Sequence, residues 1–133
     1  LEIKLEQLLT VSDFTDASGK TYQGSLSKLL NKELPVKTAY TLGKLFNNVK
    51  SELQQYYQHR DNLIKKYGRE KDGTYSIEAS DKDAVEKFVK DNDELLSVMV
   101  KLDYDPVNLD ALGNVSISPI DMGNLEVFFK ASP

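Results

Sequence analysis

Between Pro35 and Gly68 the apolar side chains of this chain recur three and four residues apart. Ala39, Leu42, Phe46, Val49, Leu53 and Tyr56, followed by Arg60, Leu63 and Tyr67, form one stripe on a helix. Pro35 suits the first turn, where its missing N–H costs nothing, and Gly68 suits the stop. Roughly 33 residues at 1.5 Å each make a rod of about 50 Å. That is longer than a single domain of 133 residues is wide, so the rod needs something to lie against.

The rest of the chain is read around this rod. Leu1, Ile3 and Leu5 alternate with charged residues, the period of a short strand with one buried face. Asp13 to Tyr22 is rich in Asp, Ser, Thr and Gly and reads as a loop or irregular hairpin. Ser25 to Leu30 reads as a short helix capped by the Ser25 hydroxyl. After the rod, Lys71-Asp72-Gly73-Thr74 is a turn, and Tyr75 and Ile77 flank Ser76 as in a brief strand. Ser80 to Asp83 resembles a capping box, opening a second helix with Val85, Phe88, Val89, Asn92, Leu95 and Leu96 on its inner stripe.

Val98, Val100, Leu102 and Tyr104 alternate with polar neighbours until Pro106, the clearest strand signal present. A single helical turn is expected at Leu109–Leu112, and a short strand at Val115 and Ile117. Ser118-Pro119-Ile120-Asp121 combines a capping serine, an N1 proline and an early carboxylate. The helix it opens should turn Ile120, Met122, Leu125, Phe128 and Phe129 inward. The expected fold is a single α+β domain over residues 1–133: a long antiparallel helical hairpin, a small sheet formed by N-terminal and C-terminal strands, and a short C-terminal helix.

Composition narrows the chemistry. The chain has no cysteine, which excludes disulfides, thiolate zinc sites and a cysteine nucleophile. No apolar run approaches the roughly 20 residues needed to cross a bilayer, and Leu1 to Glu6 has no signal-peptide core. A cytosolic protein with no membrane association is the expectation. The net charge of -4 disfavours general nucleic-acid binding, which needs clustered Lys and Arg. Phosphate loops, zinc-protease motifs, nucleophile elbows and calcium loops are all missing, so neither a cofactor nor a metal is expected.

The only histidine, His59, shares its helix face with Gln55, Tyr56, Asn62 and Leu63, none of them an activated nucleophile or a carboxylate. A structural or interfacial histidine is the simpler account, and no catalytic residue is assigned. Arg60 interrupts the apolar stripe. It either fixes the register of a seam or lays its stem on the helix while the guanidinium reaches a carboxylate such as Asp91 or Glu94. Asn92 is the matching break in the second stripe, and the two are candidates to meet. Tyr56, Tyr57, Arg60, Lys65, Lys66 and Arg69 could alternatively form a strip for nucleic acid, as in a protein of phage replication.

Three stretches, Leu34 to Tyr40, Arg60 to Gly68, and the close with Ser118-Pro119 and Phe128-Phe129, together resemble a group of short uncharacterised proteins of tailed bacteriophages and prophages. The likeness covers most of the chain from Leu29 onward, and Met122-Gly123-Asn124, with a glycine inside the last helix, departs from it. It implies an accessory protein of the host cytoplasm with no established reaction and no assigned functional residues.

Taken together, these readings predict a non-enzymatic protein that acts through protein–protein contact, as an assembly helper or a host-factor inhibitor. Its interaction surface is expected at Phe46, Val49, Leu53, Tyr56, Tyr57, His59, Arg60, Leu63 and Tyr67. A rod longer than its one partner helix should leave apolar area bare, so a homo-oligomer is expected as well.

Overall fold

The computed structural model describes residues 1–16 and 18–130. Its backbone is the helix α3, Val36–Tyr67, 32 residues without a break. Pro35 is its N-cap rather than part of its first turn, and Gly68 closes it by donating its N–H to the Ile64 carbonyl. Thr38, Leu42, Leu45, Val49, Leu53 and Tyr56 are the buried face. Those six positions cover about eighteen residues in five turns, the 3.6-residue repeat that keeps a face straight. The predicted stripe lies slightly off this line: Ala39 is exposed, Phe46 is only half-buried, and Leu45 goes inward instead.

The elements before α3 build a layer against its N-terminal half. Strand β1, Glu2–Lys4, ends sooner than the alternation suggested and passes directly into helix α1, Leu5–Val11, which the sequence reading missed. Leu5, Leu8 and Val11, three residues apart, are buried along one side of that helix. A hairpin of β2, Phe14–Thr15, and β3, Thr21–Tyr22, follows, and then helix α2, Ser25–Leu30. The N-cap of α2 is Gly24, and Ser25 does not cap it. Gly24 lies against the carbonyls of Val11 and Ser12, so that α1 and α2 meet backbone to backbone.

Beyond α3, strands β4, Arg69–Lys71, and β5, Thr74–Ser76, form a two-residue hairpin on Asp72 and Gly73. Both turn residues have positive φ, 53° and 79°, as this tight turn requires. Helix α4, Lys82–Leu96, then packs back on α3. Asp81 caps it by accepting from the Ala84 N–H, in the role the sequence suggested for Ser80. Val89 is exposed rather than inward, because it stands about 100° from Phe88 around the helix.

Strand β6, Met99–Lys101, pairs antiparallel with β1, Ile3 opposite Val100, so the expected sheet between the chain's two ends exists but is two strands wide. Val100, Leu102 and Tyr104 are buried as the alternation required, whereas Val98 is exposed. Strand β7, Val107–Asn108, a 3₁₀ turn at Leu109–Leu112, and helix α5, Pro119–Leu125, come next. A second 3₁₀ turn, Glu126–Phe128, leads into β8, Phe129–Lys130, which pairs parallel with β7. Val115 and Ile117 form no strand; they rest partly buried on the core from irregular chain. Ile120 is 78% exposed. Five residues separate it from buried Leu125, about 140° around a helix, so both cannot face inward.

One continuous core joins these pieces, from Ile3, Leu8 and Leu26 through Leu42, Leu45 and Leu53 to Leu125 and Phe128. The bare end expected of α3 is therefore covered: α1 and α2 pack on it, and the Thr38 hydroxyl donates to the Ala111 carbonyl at 2.6 Å. What stays open is a groove along its flank.

Candidate interaction surface

Phe46, Val49, Leu53 and Tyr57 follow one another along α3 and form one wall of this groove. Val11 at the end of α1 and Leu26 of α2 form the other. Ser12, Asp13, Lys50 and Gln54 stand around the apolar lining. The space measures about 310 Å³. Its α3 wall, from Phe46 to Tyr57, is about 16 Å long at the helical rise of about 1.5 Å per residue. The groove exists because α1 stops at Val11 and the chain turns into the β2–β3 hairpin, leaving the outer flank of α3 without a covering helix.

Four of the nine predicted surface residues thus line the groove, and the other five do not. Tyr56 is 5% exposed, and its hydroxyl donates to Asn92 Oδ1 at 3.0 Å. Tyr67 donates to Asp91 Oδ2 at 2.5 Å. These two bonds tie α4 to α3, so Asn92 and Asp91 serve tyrosines and not Arg60. The Arg60 guanidinium lies 4.7 Å from the Tyr57 ring centre and 3.7 Å from Asp61, while its Nε is buried without a hydrogen bond. That exposed ion pair contributes little. Leu63 is half-buried, and His59 is exposed.

The same geometry weakens the alternative strip for nucleic acid. Base stacking needs an open aromatic face. Tyr56 has none to offer, and the Arg60 group already covers the Tyr57 ring.

A second polar cluster, which the sequence reading did not find, joins α2 to α5. Ser25, 4% exposed, donates to Asp121 Oδ1 at 2.8 Å and accepts from Asn124 at 3.1 Å. Ser118 caps α5 as predicted and also donates its hydroxyl to Asp121 Oδ2 at 2.8 Å, with Lys28 at 3.7 Å from Oδ1. The Ser25 and Ser118 hydroxyls, with a smaller contribution from Lys28, hold the Asp121 carboxyl below its usual range. Ser25 bonds directly to the carboxylate, so the cluster ties α2 to α5. Ser25 and Asp121 are 96 residues apart, and no local spacing could have paired them.

A carboxyl whose pKa falls on folding stabilises the fold above its unfolded value, about pH 4, and that contribution is lost as pH drops through the lower folded value. Asp121→Asn should therefore lower the urea midpoint at neutral pH, and its deficit relative to the wild type should shrink as pH falls below about 4. Urea titrations at both pH values check this; an equal deficit at each would contradict it.

Among the described residues, no helix is long and apolar enough to cross a membrane, and no group of three or more His, Cys, Asp or Glu side chains is placed to hold a metal ion. No protein-family model matches this chain, and neither does any curated protein or solved structure.

Proposed function

We propose that this protein is a non-enzymatic accessory protein of a tailed bacteriophage or prophage, working in the host cytoplasm through protein–protein contact on the flank of α3. The observation that supports this reading is the groove. It presents half-buried Phe46 and Tyr57 over a floor of Val49, Leu53, Val11 and Leu26, each at most 5% exposed, and is edged by charges of both signs. A row of apolar anchors on a rigid helix, with a polar rim, is how proteins receive a partner's side chains. The assembly-helper and host-inhibitor roles share this surface and differ only in what fills it.

The test places a photo-reactive amino acid at Gln54, on the groove's rim, and irradiates cells in which the gene is expressed from its phage. The reading predicts discrete covalent adducts with protein, and their identity separates a virion component from a host factor or a second copy. A label that stays uncoupled, or that transfers to nucleic acid, would overturn it.

A further inference from the structure

We infer that the groove is filled by the β2–β3 hairpin of a second copy of this chain, in a twofold dimer. This rests on the protein-contact reading above and names the partner. The hairpin carries two aromatic rings that the fold leaves in water: Phe14 is 60% exposed and Tyr22 44%, stacked with centroids 6.0 Å apart and planes 25° apart. A two-stranded hairpin is marginal by itself, and an exposed aromatic pair is the kind of feature that another surface covers. Within its own chain the pair projects beside the groove, since Asp13 lines the groove and Phe14 is the next residue.

Knob and hole adjacent on one surface are the requirement for an isologous contact, in which each copy inserts into the other across one axis. The charges agree with this arrangement. The groove is edged by Asp13 and Lys50, and the hairpin carries Lys20 and Asp16. Lys20 sits 5.0 Å from the Tyr22 ring centre, and Asp16 accepts from Ser18 and from the Lys20 N–H. Those bonds hold the Asp16 carboxyl below its usual range, Ser18 contributing most, so the hairpin keeps its negative end. Each side carries one charge of each sign, so a twofold contact can set Lys20 against Asp13 and Asp16 against Lys50.

Allowing about 100 Å² for what remains exposed of each of four rings, and about as much for each of the two grooves, the contact buries about 600 Å². That is below the size of stable specific interfaces, so the dimer is a weak one that forms only at high protein concentration.

Sedimentation equilibrium from about 1 μM to about 1 mM tests this. The wild type should pass from monomer to dimer. Phe14→Ala and Lys50→Glu should each weaken the dimer by about tenfold or more, and Lys50→Arg should restore it. Both altered residues are exposed, so unchanged circular dichroism identifies the folded variants. A wild type that stays monomeric throughout would overturn the inference. So would a dimer indifferent to Phe14→Ala; if that dimer still weakened with Lys50→Glu, the groove would remain the contact surface with a different occupant. Failure of the groove reading itself is separate, being read from the Gln54 photo-label.

Discussion

Phe128→Ala is expected to lower the unfolding free energy by about 3–5 kcal/mol, the largest loss foreseen for any single side chain here. Phe128 is the largest fully buried side chain, and it sits where the end of the chain returns to the core. Its ring meets the Tyr104 ring edge-on, centroids 6.1 Å apart at 75°. Its carbonyl accepts from the Tyr104 hydroxyl at 2.6 Å, a bond the substitution leaves possible but unsupported. A domain is stable by only 5–15 kcal/mol, so this variant should approach the limit of folding. Urea unfolding followed by far-ultraviolet circular dichroism measures it. A loss below about 1 kcal/mol would show that the C-terminal segment is not part of the core.

Gly24→Ala is the second. The Gly24 backbone, φ -75° and ψ 171°, is open to any residue, so conformational freedom is not why glycine stands there. The constraint is the neighbour: a Cβ would overlap the carbonyls of Val11 and Ser12. Those are backbone atoms and cannot rotate aside, so α1 and α2 must separate at a cost of about 1–3 kcal/mol. The groove widens with them, because Val11 and Leu26 are one of its walls. Gly43→Ala supplies the contrast. Gly43 lies inside α3 with nothing beyond the helix's own turns within 4 Å of the added methyl, so this change should stabilise by about 0.5–1 kcal/mol. Two glycine-to-alanine changes of opposite sign separate close approach from helix propensity. Equal destabilisation by both would refute the packing described for Gly24.

Both predictions rest on contacts that local pattern does not reveal, and the same divide runs through the whole molecule. The length of α3, the turn at Asp72-Gly73, the 3₁₀ turn at Leu109–Leu112 and the Ser118 cap were legible because each depends on residues a few positions apart. Helix α1 was missed because Leu1, Ile3 and Leu5 fit a strand, although Leu5, Leu8 and Val11 repeat at three. Leu45 and Phe46 were equally good candidates for the core by spacing, and what packs on α3 decided between them.

The surface divides in the same way. Phe46, Val49, Leu53 and Tyr57 were legible as one wall of something. Val11, Leu26, Asp13 and Lys50 were not, because a groove between three elements depends on how they meet. Tyr56 and Tyr67 looked like surface aromatics until Asn92 and Asp91 came within reach of their hydroxyls.

All of these readings require that α3 be one straight element, so that its groove wall forms a single line. Spin labels on exposed Lys37 and Lys65, measured by double electron–electron resonance, test this directly. An unbroken helix predicts one narrow distance distribution for a backbone separation of about 42 Å. A broad distribution, or one centred below about 30 Å, would mean that the rod bends near its middle, and the groove wall would be lost with it.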